Sequence, residues 1–177
     1  MTAAEEIRAA CFPEDREAVQ AIFREYVASP SVSLDYQGHA AEFAGLPGKY
    51  AAPDGGLLLA WQAGAVIGCA AWRRVDAERC ELKRVYVRPT ARGTGLGRRL
   101  VERALTLAGA AGYRRVCLDV LPEFTAARQL YADLGFIDDA PVSFNPIPGT
   151  AFLGRDLPYA PSPRAPDETI RACNSNS

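Results

Sequence analysis

Apolar residues recur along this chain with two periods, and the switches between them predict strands alternating with helices. Residues 7–10 read as a short strand. After Pro13, the residues Val19, Ile22, Phe23 and Tyr26 fall at helical spacing, and Ser29-Pro30 ends that helix. A second helical segment is predicted over 38–44, then the loops G-L-P-G-K-Y and A-A-P-D-G-G. Strands at 57–61 and 66–72 flank an Ala63-Gly64 hairpin turn, and 76–79 turn the chain into a strand at 80–87. Leu96, Leu100, Val101, Ala104, Leu105 and Ala108 form one stripe of a helix over 95–110. Val116, Leu118 and Val120 alternate as a fifth strand, and Gly135 stops a helix over 125–134. Two last strands are predicted at 142–144 and 150–156. The fold class is α/β, a mixed, mostly antiparallel sheet with helices on both faces. Residues 1–157 read as a single domain, and the proline-rich, polar stretch 158–177 reads as a flexible tail.

Within residues 81–87 the alternation slips. Leu82 predicts same-face positions at 84 and 86, yet Val85 and Val87 are the aliphatic ones. A β-bulge would reset the register and leave backbone groups unpaired. A central strand covered on both faces would need no alternation at all, and the residues alone leave both readings open.

Directly after this strand comes R-G-T-G-L-G at a helix start. The N–H groups of a first helical turn lack intrahelical partners, and the helix dipole favours an anion there. Gly93, Gly95 and Gly97 permit positive φ and close approach of a ligand. A dinucleotide fingerprint would need glycine at 98, which is Arg, and a P-loop would need a lysine after the glycines. The remaining pattern is R-x-x-G-x-G, carried by Arg92, Gly95 and Gly97. Arg98 and Arg99 oppose the macrodipole unless an anion is bound, or else form a solvated basic face.

E-L-K-R-V-Y-V-R-P, R-G-T-G-L-G and A-A-R-Q-L-Y-A-D-L-G-F, in this order, resemble the GNAT superfamily of N-acetyltransferases. The diagnostic stretch is 81–136; L-D-V-L-P and N-P-I-P-G are similar to small bacterial members of unassigned substrate. The resemblance implies acetyl-CoA as co-substrate, with coenzyme-binding positions at Val85, Tyr86, Val87, Arg92, Gly93, Thr94, Gly95, Leu96, Gly97, Arg98 and Tyr131. It also implies a bulge that splays the sheet between the fourth and fifth strands. A backbone N–H near Val85 or Tyr86 would face the oxyanion. Tyr131 is inward-facing by helical spacing with Ala127, Leu130 and Leu134, and a phenol can protonate a departing thiolate. It is the candidate acid, against the plainer reading of a core tyrosine. Glu81 is read either as a base for the acceptor ammonium or as an acid paired with a neighbouring cation. Many members carry Asn seven residues before the tyrosine; here that position is Phe124.

The acceptor site is expected from the first half of the chain and the terminal strands, with candidates Tyr36, Lys49, Tyr50, Trp72, Arg84 and Asn145. Lys49 and Arg84 could hold a carboxylate, which suggests an amino-acid-like or other small amine. The expected reaction is direct transfer in a ternary complex; the alternative is a non-catalytic acyl-CoA-binding or sensing domain.

Composition narrows the partners. The 177 residues are 49% hydrophobic and carry a net charge of −1, which argues against general attraction to nucleic acid or anionic membranes. Lys49 and Lys83 are the only lysines among 20 basic residues, so abundant arginine is a compositional bias and not itself a phosphate signal. Five scattered cysteines without C-x-x-C spacing suggest reduced thiols and a cytoplasmic protein. No secretory leader or run of about 18 apolar residues is evident. The single histidine, His39, reads as a surface residue, and no cluster suggests a metal. Proteins resembling this one are commonly homodimers.

Overall fold

A computed structural model of the chain describes residues 3–160. The elements follow the predicted order: β1 (Glu5–Ala9), α1 (Arg16–Ala28), α2 (His39–Ala44), β2 (Gly56–Gln62), β3 (Ala65–Arg74), β4 (Arg79–Val87), α3 (Leu96–Ala110), β5 (Arg115–Val120), α4 (Thr125–Asp133), β6 (Ile137–Asp138) and β7 (Ala151–Asp156). They build one seven-stranded sheet in the order β1-β2-β3-β4-β5-β7-β6. All neighbours are antiparallel except β4 and β5.

Strands β2 and β3 feed two cores, one on each face of the sheet. Leu58 and Ala60 pack with the apolar stripe of α3 and with Tyr131 and Leu134 from α4 and its end. Leu57 and Leu59 pack on the other side with Val19, Ile22 and Phe23 of α1 and Phe43 of α2. Burial of these side chains stabilises by about 1.5–3 kcal/mol apiece before chain entropy is subtracted.

The slip in β4 is a bulge. Cys69 pairs with Tyr86 and Ala71 with Lys83, so Arg84 and Val85 together face the single residue Ala70. Arg84 is the residue that absorbs the extra length, at φ 57°. That conformation costs a non-glycine residue roughly 1–2 kcal/mol. Cys80 and Leu82 before the bulge, and Val85 and Val87 after it, all join the α3 core, which explains the shifted alternation.

The parallel seam between β4 and β5 is short. Arg79, Cys80 and Glu81 pair with Arg115, Val116 and Cys117, and pairing stops there. From Leu82 onward β4 has no β5 partner, and the two strands part around a cleft.

Two expectations need correction. Residues 142–144 form no strand; Phe144 is 75% exposed, and the two-residue β6 takes the sheet edge beside β7. Pro141, Pro146 and Pro148 supply no N–H to a ladder, so this stretch remains a loop. The cysteines are not uniformly reduced: Cys69, Cys80 and Cys117 are buried free thiols, whereas Cys11 is disulfide-bonded. Tyr159, at the start of the predicted tail, donates a 2.6 Å hydrogen bond to Glu102; residues 161–177 of that tail lie outside the described residues. Among the described residues no helix is long and apolar enough to cross a membrane.

Candidate active site

The cleft left by the parting strands has a volume of about 620 Å³. Its walls come from β4 from Leu82 onward, the glycine turn with the start of α3, the end of β5, the face of α4 and the segment after α1.

At one end lies the glycine turn. Gly93 and Gly95 both adopt φ 79°, and Gly95 is the left-handed residue that opens α3. A side chain would be tolerated for space at Gly93 but not for backbone conformation. Among the described residues, the backbone N–H groups of residues 93–98 donate to no protein acceptor; the first amide of this region to do so is Arg99, to Gly95 O at 3.1 Å. Unsatisfied donors at a helix start form an anion site. Arg92 lies at its edge, its Nε held by Val87 O at 3.0 Å and its guanidinium over the Tyr86 ring. Arg98 lines the cleft and also pairs with Glu102 at 3.3 Å. Arg99 turns away to Glu5, which removes its conflict with the helix dipole without any ligand. Thr94 caps the turn through its hydroxyl to Ala91 O and does not line the cleft.

In the middle, Val85, Tyr86 and Val87 present the unpartnered edge of β4. Opposite them stands Tyr131, 5% exposed, its ring edge-on to Phe136. Its hydroxyl has no hydrogen-bond partner among the described residues, although it lines the cleft. Burial, with the nearby Tyr26 and Asp119 adding to it, raises the phenol well above its ordinary pKa, so it stays protonated. Phe124 and Thr125 also line this wall with an apolar ring and a hydroxyl.

At the far end the cleft is charged, and of the charged acceptor-site candidates only Arg84 lines it. Arg84 lines it with a nearly fully buried side chain, and its guanidinium is fully engaged: 2.8 Å to Glu42 Oε2, 2.5 Å to Gln37 Oε1, and stacked over Tyr26. Glu81 does not line the cleft. Arg73 reaches its Oε2 at 3.0 Å and the Ser143 hydroxyl donates to Oε1 at 2.8 Å, so the paired-acid alternative describes it. Lys49 is exposed on the surface, and Tyr50 and Trp72 are core residues. The Tyr50 hydroxyl donates to Glu42, and Trp72 fills the space over Gly56. Tyr36 sits beside the cleft, edge-on to Phe144, without lining it. Asn145 does line it, donating to Asp119 Oδ2 at 2.6 Å.

Lys83 and Asp119 were not assigned from sequence, and both line the cleft. Burial draws the Lys83 amine below its usual pKa, against the opposing pull of Glu81 and Asp119. The available signal was a charged residue on each of two strands otherwise built for burial. Among the described residues no group of His, Cys, Asp and Glu could hold a metal ion.

Comparisons with known proteins agree with this architecture. A Schizosaccharomyces pombe protein named as an uncharacterized N-acetyltransferase is 33% identical over 153 residues, covering 85% of this chain and 94% of that one. An IAA acetyltransferase of Azospirillum brasilense is 38% identical over 110 residues, covering 60% of this chain and 71% of that one. Among solved structures, an acetyltransferase of Salmonella typhimurium with its cofactor acetyl-CoA superposes with TM-score 0.67 at 22% identity, covering 92% and 99% of the two chains. An N-acetyltransferase of Thermoplasma acidophilum in complex with coenzyme A gives TM-score 0.70 at 18% identity, over 87% and 99%. The model of the Acetyltransferase (GNAT) family matches residues 4–136, and over that extent this chain is a member of the GNAT acetyltransferase family.

Proposed function

We propose that this chain, as one domain over residues 1–157, transfers an acetyl group from acetyl-CoA to the primary amine of a small, amino-acid-like molecule. Transfer is direct, in a ternary complex. One observation carries the reading: donors without acceptors at residues 93–98, an unpaired β4 edge and a free Tyr131 hydroxyl all open onto one cleft.

These residues fit coenzyme A. The amides of residues 93–98, with the guanidiniums of Arg92 and Arg98, suit a diphosphate. The open edge of β4 suits an amide-bearing arm that pairs as a strand would. When bound, the coenzyme supplies the acetyl thioester. The chain's own contributions follow from position. A main-chain N–H at Val85 or Tyr86 donates to the oxygen on which charge develops. Tyr131, kept protonated by its burial, gives its proton to the departing sulfur. The carboxylate available at the acceptor end is that of Asp119 rather than Glu81.

Thiol release from acetyl-CoA across a panel of amines, alongside calorimetry of coenzyme binding, tests this. Saturable turnover with an amine is expected. Tight binding with no turnover on a broad panel would instead favour a sensing domain, and no binding at all would remove the reading. Gel filtration tests the homodimer that belongs to the same proposal.

A further inference from the structure

Three charge pairs lie at or behind the acceptor end of the cleft, and two of them are closed. Glu81 is held by Arg73 and Ser143, and Arg84 by Glu42 and Gln37. The third is open. Lys83 Nζ lies 4.0 Å from Asp119 Oδ1 and 3.7 Å from Glu81 Oε1, both beyond hydrogen-bond reach. Its side chain is 7% exposed, yet among the described residues its ammonium donates to nothing. Asp119 is pinned on one side only. Asn145 donates to Oδ2 while its own Oδ1 accepts from the Ile147 N–H at 3.0 Å and the Thr150 hydroxyl, so the whole carboxylate is oriented. Oδ1 of Asp119 receives no hydrogen bond among the described residues.

A buried cation and a buried anion, side by side with donors and an acceptor left over, form a dipole facing the cleft. Buried polar groups in native proteins find partners, and those that lack one inside the chain point to a ligand. The pair is neutral as a whole. A bare ammonium would meet Lys83, and a bare carboxylate would meet Asp119, each a like-charge contact. A molecule carrying both charges on neighbouring atoms avoids both conflicts when laid antiparallel. Its carboxylate accepts from Lys83, and its amine donates to Asp119.

From this we infer that the acceptor is a zwitterion, an amino acid with a free carboxylate beside the amine, and that Lys83 and Asp119 recognise the two charges. The inference rests on the acetyltransferase reading and names its substrate class. It also transfers carboxylate recognition from Arg84 and Lys49, which are engaged or exposed, to Lys83. An arriving carboxylate additionally offsets the burial that weakens the lysine's charge.

The test uses matched sets: a proteinogenic amino acid, its methyl ester and its decarboxylated amine, drawn from aliphatic, aromatic and polar side-chain classes. Each is assayed by thiol release and by calorimetry against the coenzyme-loaded protein. A site built around a ligand group rejects analogues lacking it strongly, so the amino acid should exceed its ester and its amine on the order of 100-fold in kcat/KM. Lys83→Met should abolish that preference, raising KM for the amino acid far more than for the ester, with coenzyme binding intact by calorimetry. Esters or decarboxylated amines bound and turned over as well as the amino acids would overturn the inference while leaving acetyl transfer standing. If no amine is turned over, the binding comparison still decides: preferential binding of the zwitterion supports the site, and equal or absent binding sinks it.

Discussion

Replacing Tyr131 by phenylalanine removes one oxygen from the centre of the cleft. The ring keeps its edge-on contact with Phe136, 5.4 Å between centroids, and its place in the α3–α4 core. Because the hydroxyl has no protein partner, no hydrogen bond is lost. The hydroxyl opens onto the cleft and is not a buried unsatisfied group, so stability should stay within about 0.5 kcal/mol of the parent. A general acid contributes about 10²-fold or more, so kcat should fall at least that far, equivalent to ~2.7 kcal/mol of barrier. Coenzyme affinity should fall far less than kcat, since the glycine-turn amides and the open edge of β4 are untouched. Steady-state thiol release, a melting curve and coenzyme calorimetry on the same preparation separate these effects. A variant that keeps kcat within threefold of the parent refutes the acid role, whatever its stability.

Further outcomes follow from individual residues. Glu42→Gln leaves the buried Arg84 guanidinium without its counter-charge. The loss should be about 2–3 kcal/mol in denaturant unfolding, less than the ~3–5 kcal/mol of a fully buried pair because Glu42 keeps some exposure and Gln37 still accepts. Gly95→Ala places a side chain at φ 79°, so it should cost about 1 kcal/mol of stability and weaken coenzyme binding; unchanged affinity by calorimetry would count against the anion site. Burial pushes the Tyr26 phenol up to about 12, and the Cys80 thiol likewise to about 12. Folded values above the unfolded ones mean stability present below pH ~9–10 and lost as pH rises towards 12; urea midpoints that hold constant from pH 9 to 12 would contradict that burial.

Much of the architecture was readable because it is set by local periodicity. β2, β3, the stripe of α3 and the Gly135 stop are all consequences of neighbours in sequence. Even the bulge left a trace, since Leu82 and Val85 cannot share a face in an unbroken strand. The glycine turn was equally legible, because φ 79° at Gly93 and Gly95 is demanded by the backbone and permitted by the residue. The acceptor end was not. Whether Arg84 is free or engaged depends on Glu42, distant in sequence, and no spacing rule connects a short helix to a bulge. Tyr50 was misjudged for the same reason, its hydroxyl being taken by that same glutamate. Trp72 is held by a missing side chain, Gly56, whose Cβ would fall 2.0 Å from the indole. The strand expected at 142–144 failed because apolar alternation in Val142 and Phe144 outweighed the flanking prolines in the reading but not in the fold.

The short seam between β4 and β5 gives the molecule an unfinished ladder. Three stitched residue pairs hold two half-sheets together at one end, and at the other the main chain waits for an outside strand to complete it. Whatever lies along that gap acts as mortar as well as cargo. A ligand held at a hundredfold excess over its dissociation constant adds about 2.7 kcal/mol to folding. Resistance to heat and to deuterium uptake along the open edge therefore reports how full the gap is, before any chemistry is measured.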